Sequence, residues 1–326
     1  MMKYVYAALL GAITLTACEK KEDPISLPPK TGAQLAAVNM GSDYTYQIFF
    51  SLDHQVVLTN EIRAWDLAFE CGPNDKGVFT NQGKSTFVYH TGQYDFATVA
   101  NSISSVADND WKWDDANGNT TQTAIGDWSG QQPRSEVMFV RQYDGAQYNY
   151  YKIQVLSSDA TSYQLNFGAA NATTPTTITI PKDPLYNYIY FSFADGGKVL
   201  QWEPPKEEWD FVFTRFHHYF ETEQVHYEVN GALLNPYKTQ ALKDSLTNFA
   251  DINMAFTNGK TLSSNRDAIG YDWKYYDFNT GRYVTVRKYN YIIKTHDDHY
   301  YKLHFLDFLN QAGEKGHPKF EYERIN

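Results

Sequence analysis

The sequence predicts an all-β protein: two tandem antiparallel β-sandwich or open-barrel-like domains with few short helices. Four observations predict it. Aromatic residues make up 16% of the 326 residues, 26 of them Tyr. With Val, Ile and Thr, these are the side chains that fit a pleated, half-buried surface. Short apolar runs alternate with turn signals such as Asp195-Gly196-Gly197 and Asn279-Thr280-Gly281, as in a chain of short strands. Helical periodicity is weak; residues 240–249 are one candidate short helix and 98–106 another. Finally, the chain repeats itself.

Taken in order, Met1-Met2-Lys3 is a basic start, residues 4–15 carry no charge, and Leu15-Thr16-Ala17-Cys18 closes the run. A basic entry, an apolar core too short to span and small residues at the cut make a secretory signal over residues 1–17. Leu-Thr-Ala-Cys also matches the bacterial lipoprotein box, in which the thiol is acylated; Cys18 is therefore the expected lipidation site. Residues 18–32 open with Glu19-Lys20-Lys21-Glu22-Asp23 and hold three prolines, a composition that cannot form a core and reads as a tether. Lys21-Glu22-Asp23 resembles the surface-export signal of Bacteroidetes lipoproteins. The expected location is the outer membrane, lipid-anchored and facing the cell surface, with the periplasmic face as the alternative.

Beyond the tether, four landmarks recur in one order. Trp65-Asp66-Leu67-Ala68-Phe69 returns as Trp209-Asp210-Phe211-Val212-Phe213. Each follows an aromatic strand, Phe49-Phe50-Ser51-Leu52 or Tyr190-Phe191-Ser192-Phe193. Ala124-Ile125-Gly126-Asp127-Trp128 returns as Ala268-Ile269-Gly270-Tyr271-Asp272-Trp273, and Tyr150-Tyr151-Lys152-Ile153 as Tyr300-Tyr301-Lys302-Leu303. The span between the two Trp landmarks is 63 residues in one copy and 64 in the other. This is a duplicated unit, not a short-period solenoid. The expected domains are 33–170 and 176–326, joined by the small, polar, proline-bearing stretch 169–176. Strand–turn–strand patterns are expected at 211–220 with 224–229, at 137–141 with 150–156, and at 289–295 with 300–305.

Composition excludes several classes. A formal net charge of −10 does not suit a nucleic-acid face. Two cysteines, one of them assigned to lipid, exclude a disulfide framework, and Cys71 reads as an inert buried thiol. Catalytic motifs such as Gly-x-Ser-x-Gly or His-Glu-x-x-His do not occur, so the protein is read as a binder and not an enzyme.

The second copy resembles the HmuY family of Bacteroidetes haem-binding lipoproteins. The resemblance runs from Thr177-Ile178-Thr179-Ile180 through Tyr190-Phe191-Ser192-Phe193-Ala194-Asp195-Gly196 and Trp209-Asp210 with Arg215. It ends in 270–273 and the closing hairpin, 301–308 with 316–322. Copy one, the more divergent, matches more faintly. The resemblance implies an all-β fold and the function of holding haem iron between two histidines for delivery to an outer-membrane transporter. The family's ligand positions carry no histidine here: Phe278 stands about where one would lie, and Met254 is the nearest thioether to the other.

Other candidates are weighed on their chemistry. His218 and His226 lie on a predicted hairpin, where cross-strand neighbours are about 5 Å apart; chance pairing is the simpler account. His296-Asp297-Asp298-His299 could gather two imidazoles and carboxylates, or simply be a solvated hairpin tip. Asp114-Asp115-Ala116-Asn117-Gly118-Asn119 lacks the spacing of a calcium loop and reads as Asx turns. Trp111 and Trp113, in a polar stretch, are expected to be exposed binding rings. The leading expectation is capture of haem or another tetrapyrrole, with His218, His226 and Met254 as candidate ligand residues. The rival is an aromatic-rich glycan- or protein-binding surface module without haem.

Overall fold

The structure, a computed structural model, describes residues 32–99, 101, 103–126 and 135–326. Cys18, residues 1–17 and the landmark Trp128 lie outside the described residues. Copy one supplies β1 (Gln34–Ala37), β2 (Tyr46–Ser51), β3 (Gln55–Glu61), β4 (Leu67–Glu70) and β5 (Val78–Thr80). It continues with β6 (Phe87–His90), β7 (Met138–Tyr143), β8 (Tyr148–Ser158) and β9 (Ser162–Ala169). Copy two supplies β10 (Thr176–Pro181), β11 (Tyr188–Ser192), β12 (Lys198–Leu200), β13 (Phe211–Phe220), β14 (Val225–Leu234) and β15 (Gln240–Asp244). After these come β16 (Lys274–Asp277), β17 (Arg282–Thr285), β18 (Asn290–Lys294), β19 (Tyr300–Leu309) and β20 (Lys315–Arg324). Among the described residues the fold is all-β, as expected: the strand pairs are antiparallel, no sheet closes into a barrel, and the helical pieces are short 3-10 turns.

The two copies exchange strands. One five-stranded sheet runs β1-β20-β19-β18-β15 and the other β10-β9-β8-β7-β6. The first strand of each copy thus completes the outer sheet of the other. The four-stranded sheets do the same, in the orders β3-β2-β13-β14 and β12-β11-β4-β5. Ile48, Phe50 and Leu52 of copy one share a core with Phe211, Phe213, Phe305 and Phe320 of copy two. Reciprocally, Ile189, Phe191 and Phe193 pack with Leu67, Phe69, Val140 and Phe167. Two units result, each built from the first three strands of one copy and the remainder of the other.

Pattern explains the layering. Along β2, Ile48 and Phe50 face the outer sheet while Phe49 packs against Trp209, Val212 and Phe216 on the opposite face. Along β11, Ile189 and Phe191 face outward while Tyr188 and Tyr190 meet Ala68 and Phe79. Both four-stranded sheets are therefore covered on both faces, which is why their strands read as unbroken apolar runs. The order of layers is five, four, four and five strands. Burying one such aromatic or aliphatic side chain stabilises by roughly 1.5–3 kcal/mol. Phe50, fully buried, stacks on Phe211 at 5.2 Å and meets Phe320 edge-on at 5.0 Å.

The repeated Trp-Asp pair has a structural role in this exchange. Asp66 N donates to Phe191 O at 2.7 Å, and Asp210 N to Phe50 O at 2.8 Å. The Asp66 carboxylate accepts Phe193 N at 2.6 Å and the Ser192 hydroxyl at 3.0 Å; Asp210 accepts Leu52 N at 2.7 Å. Each aspartate so fastens the end of a strand from the other copy. A further repeated residue, missed in the sequence, locks the corner: Asn81 Nδ2 donates to Ile62 O and Trp65 O, and Asn235 Nδ2 to Lys206 O and Trp209 O. The Tyr-Tyr-Lys landmark places Lys152 and Lys302 inside, their Nζ atoms donating to Phe96 O at 2.9 Å and Ile252 O at 3.2 Å.

One expected helix is absent. Residues 240–244 form β15, pairing Ala241 with Ile293 and Leu242 with Ile292, and only a 3-10 turn, Phe249–Asp251, follows. Tertiary pairing at the sheet edge overrides a weak local preference. In 98–106 the described residues include the 3-10 turn Ile103–Ser105. No helix among the described residues is long and apolar enough to cross a membrane.

Candidate functional site

Register separates the candidate histidines. On the β13–β14 hairpin His218 lies opposite Tyr227 and His226 opposite Tyr219. They are one residue out of step, so their side chains project to opposite faces. His218 packs on Tyr271 and Phe220, with ring centroids 4.7 and 4.9 Å away. His226 lies against Trp113 and Tyr219. His217, which shares the His226 face, stacks on Phe87 at 5.2 Å. Burial, with the neighbouring imidazoles His226 and His218 respectively, pushes His217 and His226 down to about 4. Both rings are neutral at physiological pH. Met254 lies elsewhere, on the 3-10 turn Met254–Thr257, 38% exposed. The structure does not gather His218, His226 and Met254 into one ligand set.

Two other sequence readings resolve. Trp111 is not exposed: it is buried with Phe96, Val137 and Phe139, and the Arg141 guanidinium sits 4.6 Å over its ring. The polar residues around it hid a side chain that the sheet covers. In the Asp114–Asn119 stretch, Asp115, Asn117 and Asn119 each accept the backbone N–H two residues on, at 2.9, 2.7 and 3.0 Å, which are Asx turns. Asp114 itself is buried, accepting Thr80 N at 2.6 Å and Ala124 N at 2.7 Å. Cys71 is buried and burial pushes its thiol up to about 11, so it is inert as read.

A recess with binding chemistry lies on the β16–β17 hairpin. Tyr276 pairs with Tyr283 across the ladder, ring centroids 5.3 Å apart, and Phe278 meets Tyr276 edge-on at 5.1 Å. Tyr283 is anchored beneath by Phe308 at 4.9 Å. Between this hairpin and the β19–β20 turn opens a cleft of about 690 Å³, lined by Ser42, Tyr276, Arg282, Tyr283 and Lys315 among others. Its volume is in the range of small-molecule sites. It offers an aromatic wall and two cations, and neither candidate histidine nor Met254 lines it. Phe278, at the hairpin tip, is 88% exposed and Tyr275 54%. Sequence reasoning noted Phe278 but missed Arg282, Tyr283 and Lys315; the alternation Arg282-Tyr283-Val284 after a turn was the available signal.

The residues do not supply the two-histidine iron clamp. Phe278 occupies one expected position, and Met254 offers a single thioether. What the cleft can do is stack a planar apolar ring and pair with acidic groups on its rim.

Comparison with known proteins gives the lineage. The family described as HmuY protein matches residues 43–168 and again 185–322. Among solved structures, an apo HmuY analogue of Tannerella forsythia aligns at 12% identity and TM-score 0.32, covering 90% of this chain and 96% of its own. A candidate HmuY-like haem-binding protein of Bacteroides vulgatus aligns at 15% identity and TM-score 0.22, covering 39% and 79%. Apo PinO of Porphyromonas gingivitis aligns at 14% identity and TM-score 0.23, covering 46% and 86%. No curated protein matches significantly.

Proposed function

Because the chain belongs to the HmuY family, we propose that it is a lipid-anchored binding protein of the outer membrane, tethered through Cys18, that captures haem or another tetrapyrrole. The observation that carries the ligand is the β16–β17 cleft: Tyr276 and Tyr283 for the ring face, Arg282 and Lys315 for the propionates. Such a site holds the macrocycle by stacking and charge, so it takes the metal-free ring as readily as the iron form. Delivery to an outer-membrane transporter fits this role.

The test is a titration of the full-length chain in mild detergent, with a detergent blank, using haemin and protoporphyrin IX. A shifted Soret band with haemin and tyrosine quenching by both, at similar micromolar affinity, is the expected result. A flat response to both at 50 μM sinks the proposal. Phe278 and Tyr275, exposed outside the cleft, favour the second reading, a glycan- or protein-binding surface; a glycan array on the same preparation separates the two.

A further inference from the structure

We propose that Asp53, Asp297 and His299 form a site for a divalent first-row transition ion, zinc foremost, which clips the two exchanged copies together. Asp53 sits in the β2–β3 turn of copy one, and Asp297 and His299 in the β18–β19 turn of copy two. One ligand atom from each lies within 4.8 Å of the others. His299 Nδ1 is 2.9 Å from Asp297 Oδ2 and 3.6 Å from Asp53 Oδ2. Ligands about 2.0–2.2 Å from a zinc ion stand roughly 3–4 Å apart, so small side-chain adjustments suffice.

Three further observations point to a cation. Each carboxylate is oriented by a hydroxyl on its other oxygen, as outer-shell partners orient metal ligands: Tyr301 donates to Asp53 Oδ1 at 2.5 Å, and Thr295 donates to Asp297 Oδ1. His299 Nδ1 is shielded from solvent and completes no hydrogen bond of good geometry. The same corner holds the Asp210 carboxylate, 4% exposed and accepting Leu52 N at 2.7 Å. Among the described residues no Lys or Arg forms an ion pair with Asp53, Asp297 or Asp210, while the nearby Lys294 pairs with Asp298.

The other unit shows what this arrangement lacks. There the matching aspartate, Asp66, is paired with Lys84. The positions matching Asp53 and His299 are Ala194 and Asn149, and Tyr151 stacks on Phe193 at 4.1 Å. The same corner is thus neutralised by a lysine and closed by rings in one unit, and left acidic with an imidazole in the other. Carboxylate and imidazole together suit zinc, cobalt or manganese.

The full-length chain is stripped with EDTA and titrated with Zn²⁺ by calorimetry. One equivalent binding at micromolar concentration, and a melting midpoint raised by Zn²⁺ and restored by EDTA, are expected. His299→Ala and Asp53→Asn each weaken binding by at least about tenfold with an unchanged far-ultraviolet spectrum. No heat up to 1 mM Zn²⁺, or equal binding by the double variant, overturns the site. Should either variant fail to fold, Mn²⁺ line broadening in the parent chain decides: broadening confined to residues 52–54 and 295–301 supports the site, and broadening elsewhere overturns it.

Discussion

Asp66 and Asp210 occupy matched corners of the two units, and the charges around them differ in sign. Both follow a tryptophan, both donate a backbone N–H to the strand of the other copy, and both accept from its end. Asp66 has the Lys84 ammonium against it. Asp210 has no cation, and burial together with Asp53 and Asp297 pushes it up to about 7. Duplication kept the backbone role of this residue while its charge balance diverged. The repeated motif is therefore explained by architecture, and the difference between copies is where specialised chemistry resides.

The largest expected effect tests that difference. Asp66→Asn strands Lys84, only 17% exposed at its side chain, and weakens the hold on Phe193 N and Ser192. Breaking a largely buried pair on one side costs about 3–5 kcal/mol. Asp210→Asn keeps an acceptor for Leu52 N and removes an uncompensated charge, so it costs less than about 1 kcal/mol in EDTA. Urea unfolding of both variants measures the contrast; equal losses would break the comparison.

Next comes pH, where one buried group in each unit acts with opposite sign. Glu203 accepts Asn187 N, Tyr188 N and the Tyr190 hydroxyl in the unit around β11, and burial raises it from 4.5 to about 7. Between those values the native chain keeps a proton that the unfolded chain releases. Stability from this group therefore falls as pH rises from 4.5 to 7, by on the order of 3 kcal/mol. Lys274, in the other unit, donates to Asn230 O at 2.6 Å, and burial lowers it from 10.5 to about 7. Here the unfolded chain holds the extra proton, so stability rises as pH climbs from 7 towards 10.5. Glu203→Gln should flatten the acid side of a melting-midpoint profile and Lys274→Met the alkaline side. A profile unchanged by either substitution would remove these groups from the account.

The smallest effect concerns the cleft, which is lined mainly by the carboxy-terminal copy. Arg282→Ala and Lys315→Ala each remove an exposed charge, worth about 0.2–1 kcal/mol, or roughly 1.4- to fivefold in protoporphyrin affinity. Tyr276→Ala should cost more than either, since ring stacking contributes about 0.5–1.5 kcal/mol beyond its area. Unchanged affinity in all three would move the binding surface to the exposed Phe278 and Tyr275.

Several features were legible in the chain itself. The hairpins at β13–β14 and β18–β19 follow from period-two patterns and turn residues. The residues of the candidate sites were less so. Asp53 and His299 are 246 positions apart in the sequence, and nothing local marks them as neighbours. Trp111 looked exposed because its flanking residues are polar. His218 and His226 looked paired because a one-residue shift of register, set by the turn, cannot be read from either strand alone.

Residue chemistry and its period determined the all-β class and the duplication, because these depend on side chains a few positions apart. Tertiary structure alone decided which strands distant in sequence pair. A strand's apolar face is satisfied equally by its own copy or by the equivalent sheet of the other, and only the closed packing of both selects the exchange. That choice also brought Asp53 to His299 and set Ser42 of copy one at the cleft of Tyr283 and Lys315.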